Sequence, residues 1–167
     1  MNILQTERLT MRPMSQSDCT QFVALKTHPE NMAQTHAGVL DARQAETLLA
    51  SYVRQWRRTN IGMWALIHRD TEQFIGESGF AERCGFEGLT LRYTLDHPWW
   101  GRGLAAESVE AAIAYGRKHA TTECVSALAL EGNVRSCRIL DGAGMKLVET
   151  GFEGVAGFRR YVLPLND

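Results

Sequence analysis

The sequence predicts a mixed α/β domain of the α+β kind, built on a mostly antiparallel central sheet. Three observations carry this expectation. Two stretches at helical spacing precede residue 62, where the apolar period changes to two. Three strand-like runs then follow one another, 62–68, 73–83 and 89–96, joined by the short polar connections RDTE and CGFEG. Links that short join antiparallel neighbours, because a parallel crossover needs about a dozen residues or more. Beyond them helix and strand alternate, so the full order is β-α-α-β-β-β-α-β-α-β-β.

Each element has a local reason. Leu9, Met11 and Pro13 alternate with Thr10 and Arg12, the pattern of a first strand. Ser15-Gln16-Ser17-Asp18 supplies N-cap chemistry for a helix that carries Cys19, Phe22 and Val23 on one face, and Pro29 ends it. Asp41 and Gln44 have the spacing of a reciprocal cap for a second helix. In that helix Ala45, Leu48, Leu49, Tyr52, Val53 and Trp56 recur at helical intervals. After the three-strand run, His97-Pro98-Trp99-Trp100-Gly101-Arg102-Gly103 leads into a helix from about Leu104 to His119. A strand follows over 124–130, and Asn133 caps a short helix that stops at Gly142-Ala143-Gly144. Strands over 145–150 and 157–165 close the sheet. No internal repeat, low-complexity tract or linker interrupts the chain, and its 167 residues fit one domain, 1–167.

Composition narrows the function classes. The net charge of −1 gives no basic excess of the kind a general nucleic-acid binder needs. No apolar run reaches the roughly 18 residues of a membrane span. The opening MNILQTERLTMRP has neither the basic start nor the apolar stretch of a secretion signal, so a cytoplasmic protein is expected. Cys19, Cys84, Cys124 and Cys137 form no C-x-x-C pair, and the five histidines are scattered, so reduced thiols and no metal are expected.

One loop stands out. Trp100-Gly101-Arg102-Gly103-Leu104-Ala105 follows a strand and opens a helix. Glycine lets main-chain N–H groups approach a ligand closely. A helix N-terminus adds unpaired donors and roughly half a positive charge, and Arg102 adds a forked cation. Together they suit a phosphate or pyrophosphate. The same residues also fit the dinucleotide fingerprint G-x-G-x-x-A, with Glu131 as its acidic partner. Against that reading stand the meander ahead of the loop and the short remainder after Glu131, too little for a doubly wound sheet.

With these motifs in this order, the chain resembles the GNAT N-acetyltransferases from Thr6-Glu7-Arg8-Leu9 to its last strand. It looks most like the branch that includes the ribosomal-protein N-terminal (alanine) acetyltransferases. That branch's loop W-G-x-G-x-A is matched by Trp100, Gly101, Gly103 and Ala105, and its frequent acid just inside the helix by Glu107. Asn133-Val134-Arg135-Ser136 matches the family's N-x-x-S, followed by G-A-G-M where K-L-G-F is usual. The resemblance implies a sheet of about seven strands with helices on both faces. It also implies a cofactor cleft where the fourth and fifth strands, 89–96 and 124–130, splay apart.

By the same resemblance acetyl-CoA is the co-substrate. Its pyrophosphate would meet the N–H groups of Arg102, Gly103, Leu104 and Ala105, beside Trp100 and Gly101. Its pantetheine arm would pair with the main chain of Tyr93, Thr94 and Leu95, and Asn133 would lie near the pantetheine or reactive end. The splayed edge would also bind the thioester carbonyl. A primary amine, on a small molecule or a protein N-terminus, would attack directly, which needs a base, and the thiolate would leave, which gains from an acid. Many members keep a tyrosine seven positions beyond the asparagine; here that residue is Leu140, and Ser136 becomes the candidate acid. Relatives often carry Glu where this chain has Thr90 and Gly where it has Arg92. Glu77, Glu82, Asp96 and His68 remain as candidate bases. Glu77 leads them, because it interrupts the apolar pattern Phe74-Ile75-Gly76 near the acceptor groove.

Acceptor choice is expected to reside in the stretch 26–64 and the final hairpin. That stretch mixes His28, Glu30, Asn31, His36, Arg54, Arg57 and Arg58 with Trp56 and Trp64 and selects no substrate by itself. Monomer and homodimer both stay open. So do two rival functions, a non-catalytic acyl-CoA sensor suggested by Thr90 and Leu140, and a nicotinamide-dependent enzyme suggested by the fingerprint.

Overall fold

A computed structural model describes residues 2–83, 88–151 and 157–166. Eight strands form one sheet: β1 (Leu4–Gln5), β2 (Leu9–Pro13), β3 (Met63–His68), β4 (Phe74–Glu82), β5 (Leu89–Leu95), β6 (Cys124–Leu130), β7 (Lys146–Thr150) and β8 (Phe158–Pro164). Their order is β1-β2-β3-β4-β5-β6-β8-β7. Every neighbouring pair is antiparallel except β5 with β6. A sheet with one parallel pair is not doubly wound, which removes the dinucleotide reading of the glycine loop. The strand beyond the expected seven is β1, whose two residues pair Leu4 with Met11 and Gln5 with Thr10. Two residues are too few to show a period. Residues 84–87, which include Cys84 and most of the CGFEG connection, lie outside the described residues.

Among the described residues five α-helices cover the sheet: α1 (Cys19–Thr27), α2 (Pro29–Met32), α3 (Ala42–Thr59), α4 (Leu104–His119) and α5 (Val134–Gly142). The cap expected for α3 forms in both directions. Gln44 N–H donates to Asp41 Oδ1 at 2.7 Å, and Asp41 N–H donates to Gln44 Oε1 at 2.9 Å. Pro29 does end α1, and the same ring opens α2 at its first position. His28 between them is extended, as a residue before proline prefers.

Strand alternation builds two cores. Trp64 and Leu66 of β3 join Leu9, Phe80 and Leu91 in a cluster with α4 and α5. Met63 and Ala65 turn to the other face, against Phe22, Leu49 and Tyr52 of α1 and α3. Both faces are therefore apolar, and β3 has no solvated side over its first four residues. Each large side chain so buried contributes about 1.5–3 kcal/mol.

One seam of the sheet is incomplete. The pairing of β5 with β6 consists of Leu89 with Val125 and Thr90 with Ser126. Beyond Thr90 the two strands part, while β6 stays paired to β8 along its whole length, from Cys124–Pro164 to Leu130–Phe158. The remainder of β5 thus presents an open edge inside the sheet.

Candidate active site

The glycine loop lies at the far end of that open edge. Gly101 and Gly103 have φ of 72° and 77°, the left-handed region where a side chain is strained. An added Cβ would meet nothing within 4 Å at Gly101, and at Gly103 only the Arg8 guanidinium at 3.4 Å. The backbone conformation, rather than crowding, therefore requires glycine here. Gly103 is the N-cap of α4, and the helical ladder begins with Glu107 N–H donating to Gly103 O at 3.1 Å. The amides of Arg102, Gly103, Leu104 and Ala105 come before that bond and belong to no helical ladder.

The loop is held from behind by the start of the chain. Glu107 Oε1 accepts from Thr6 Oγ1 at 2.6 Å and from Arg8 N–H at 2.8 Å, and its Oε2 accepts from Arg8 Nε at 2.8 Å. Arg8 Nη1 then donates to Arg102 O at 2.7 Å. Burial alone would raise the Glu107 carboxyl, but the bonds from Thr6 and Arg8 and the guanidinium charge hold it below the usual carboxylate range. The Arg102 guanidinium lies over the Trp99 ring at 5.0 Å. Trp100 Nε1 donates to Leu95 O at 2.8 Å, and Arg135 stacks on the same indole at 4.5 Å, so Trp100 ties the end of β5 to the start of α5.

A cavity of about 230 Å³ fills the parting of β5 and β6. Main-chain direction along β5 follows from its bonding to β4. Asp96 N–H donates to Ile75 O at 2.8 Å, and the register continues through Thr94 opposite Glu77 and Arg92 opposite Gly79. Bonded and non-bonded pairs alternate along such a ladder. The main-chain groups of Arg92 and Thr94 therefore turn to β4, and those of Tyr93 and Leu95 turn to the gap. Thr94, whose main chain was expected to meet the pantetheine arm, has that main chain turned to β4, and its hydroxyl accepts from Lys26.

The Tyr93 side chain reaches across the gap. Its hydroxyl lies 2.7 Å from Ser136 Oγ and donates to Ser136 O at 3.2 Å. Burial pushes the Tyr93 hydroxyl up, only partly offset by the Ser136 bond. Asn133 accepts from Ser136 N–H at 3.1 Å as the N-cap of α5, and its amide donates to Gln34 O at 3.2 Å. Leu140, seven positions beyond Asn133, is buried in the core. The Tyr93 hydroxyl is thus a phenol in hydrogen-bond contact with Ser136, the candidate acid.

On the opposite face, Thr90, Arg92 and Thr94 look toward α1 and α3. Lys26 of α1 is ion-paired to Glu77 Oε1 and also donates to Thr94 Oγ1 at 3.1 Å. Both partners are buried, with side-chain exposures of 6% and 1%. Glu77 Oε2, Tyr52 Oη and Thr90 Oγ1 are buried at this site without a hydrogen-bond partner. Each such group costs roughly 1–3 kcal/mol unless a ligand or water completes it. Burial raises the Tyr52 hydroxyl and the Glu77 charge adds to the rise. Arg92 lies close enough to oppose that electrostatically without completing a bond of ordinary geometry.

Of the candidate bases, Glu77 lines the cavity. The other three are engaged away from it. Glu82 pairs with Arg58, Asp96 accepts from Asn31 Nδ2 at 2.9 Å, and the His68 ring meets Thr71 Oγ1 at 3.1 Å. Glu131, the acid of the dinucleotide reading, accepts from Arg159 at 3.0 Å. Cys19, Cys124 and Cys137 are free thiols. Two histidines scattered in sequence do meet in space. His28 and His97 stack at 4.8 Å, and His97 Nε2 lies 3.1 Å from Glu30.

Comparison with known proteins agrees with this geometry. Residues 8–146 match the family model described as an Acetyltransferase (GNAT) domain. The uncharacterised N-acetyltransferase p20 of Bacillus licheniformis is 26% identical over 143 residues, which is 84% of this chain and 80% of that protein. An acetyltransferase structure from Agrobacterium tumefaciens superposes with a TM-score of 0.85 at 20% identity, covering 96% of this chain and 93% of that one. RimL, a ribosomal L7/L12 alpha-N-protein acetyltransferase solved in complex with coenzyme A, superposes with a TM-score of 0.78 at 13% identity over 97% of both chains. The chain belongs to the GNAT acetyltransferase family and is an N-acetyltransferase, which implies acetyl transfer from an acyl-CoA donor.

Proposed function

We propose that the chain moves an acetyl group from acetyl-CoA to a primary amine by direct attack, with the donor on the α4–α5 face and the acceptor entering from the α1–α3 face. One observation carries the reading: the open edge of β5 ends at a loop whose amides belong to no ladder. The amides of Arg102, Gly103, Leu104 and Ala105 bind the pyrophosphate. Trp100 and Gly101 shape its seat, and the Arg102 guanidinium adds charge. Tyr93 grips the pantetheine arm through its main chain and Leu95 through its N–H, Thr94 contributes its side chain to the acceptor face, and Asn133 fixes the turn into α5 beside the thiol.

Glu77 takes the proton of the incoming ammonium through Oε2, while Lys26 holds Oε1. A main-chain N–H of the β5 edge receives the developing oxyanion. Ser136 protonates the departing thiolate, with the Tyr93 hydroxyl next in line to replace that proton. The acceptor is a small-molecule amine or a protein N-terminus, the latter supported by the fold shared with a ribosomal-protein acetyltransferase. Free thiols suit a cytoplasmic setting.

Thiol release on mixing protein, acetyl-CoA and a broad panel of amines tests the proposal. Amine-dependent release above background is expected. Tight coenzyme A binding with no release for any amine would return the chain to the sensor reading.

A further inference from the structure

We infer that the acceptor carries a carboxylate close to its amine, as an amino acid or an acidic peptide N-terminus does, and is not a polycation. The inference rests on the acetyl-transfer reading and names the substrate class of that same site.

Charge on the acceptor face is lopsided. Among the described residues lining the cavity, Glu77 is the carboxylate, and Lys26 already neutralises it. The cations that face it there are Lys26, Arg92 and Arg135. Arg135 is committed to Trp100 on the donor side. Among the described residues no carboxylate pairs with Arg92; Glu77 is taken by Lys26 and Glu82 by Arg58. A polyamine or amino-sugar brings several ammonium groups, and the described residues of this face offer them no carboxylate besides Glu77.

Position makes Arg92 specific. Arg92 and Thr94 lie on the same face of β5, opposite Gly79 and Glu77 of β4. Two residues along a strand span roughly 7 Å. An amine attacking beside Glu77 and Thr94 therefore puts a group a few ångströms away within reach of the Arg92 guanidinium. That group meets a forked donor suited to a carboxylate. The buried hydroxyls of Tyr52 and Thr90 flank it without partners, ready to donate to the same oxygens.

The test compares matched acceptors: a free amino acid and an acidic dipeptide, the amide of each, and spermidine, all with acetyl-CoA. The free acids are expected to exceed their amides in kcat/KM by roughly tenfold to a hundredfold, the worth of a charged hydrogen bond. Arg92→Gln is expected to bring the acids down to the level of their amides through acceptor KM, with the Kd for coenzyme A as the folding control. The ratio of amino acid to dipeptide says which source of the carboxylate the site takes. Preference for spermidine, or an acid-over-amide ratio unchanged in Arg92→Gln, overturns the inference and leaves acetyl transfer standing. Turnover of no amine at all overturns both.

Discussion

The two faces that meet at the cavity are made of different material. The donor face is main chain: consecutive amides at 102–105 and the open edge at Tyr93 and Leu95, set by glycine conformation and strand register. The acceptor face is side chain: Lys26, Tyr52 and Glu77, buried together, and the partly buried Arg92, drawn from four elements. Main-chain sites tolerate most substitutions that keep the backbone in place. Side-chain sites fail with single atoms. Mutations should therefore act on the two faces in different ways.

The largest effect belongs to the acceptor face. Glu77→Gln keeps the shape and removes the base, and kcat is expected to fall about 10²–10⁴-fold while the Kd for coenzyme A stays near its original value. A wild-type kcat would give the base role to another group. Next comes Lys26→Met, which leaves the Glu77 carboxylate buried and unpaired. Urea unfolding is expected to show a loss of about 3–5 kcal/mol, much of it recovered in the double variant with Glu77→Leu. A change below about 1 kcal/mol would mean that the pair is solvated and that this face is wetter than described.

On the donor face, Arg102→Glu is expected to weaken coenzyme A binding by about 1.5–3 kcal/mol in calorimetry without touching stability. Gly103→Val strains a left-handed position at a cost of about 1–2 kcal/mol in the loop and should weaken binding as well.

The smallest effect is one of pH. Glu107 is held low by Thr6 and Arg8. Asp18 is also low: its burial acts upward, but Arg12, donating at 2.8 Å, and Ser15 outweigh it. Folded values below the ordinary range mean that this stabilisation is present above that range and lost as pH falls through the lowered values. Glu107→Gln should flatten the acid limb of the stability profile, by no more than about 1 kcal/mol for a pair whose arginine is partly exposed. An unaltered limb would place the clamp on the loop elsewhere.

The contrast also explains what could be read from sequence. The donor loop, the α3 cap and the helix at Leu104–His119 are local, so their residues stand side by side or at helical spacing. Glu77 showed as an acid in an apolar strand, but its partner lies 51 residues away, and no periodicity links Lys26 to it. Tyr93 and Ser136 are 43 residues apart, and Arg8 and Glu107 are 99 apart. Thr94 could not be assigned to one edge or the other until the register was known. The alternation of β5 was visible as a pattern, but its phase relative to β4 was set by Asp96 bonding to Ile75. Side-chain sites between distant elements are legible as anomalies; their partners follow only from the fold.

Amide hydrogen exchange with and without coenzyme A tests the central claim most directly. The amides of Arg102, Gly103, Leu104, Ala105, Tyr93 and Leu95 are expected to exchange fast in the free protein and slow when coenzyme A is added. The Thr94 amide, already bonded to β4, should be slow in both. Protection of residues 102–105 in the free protein, or exchange there that coenzyme A leaves unchanged, would contradict the claim.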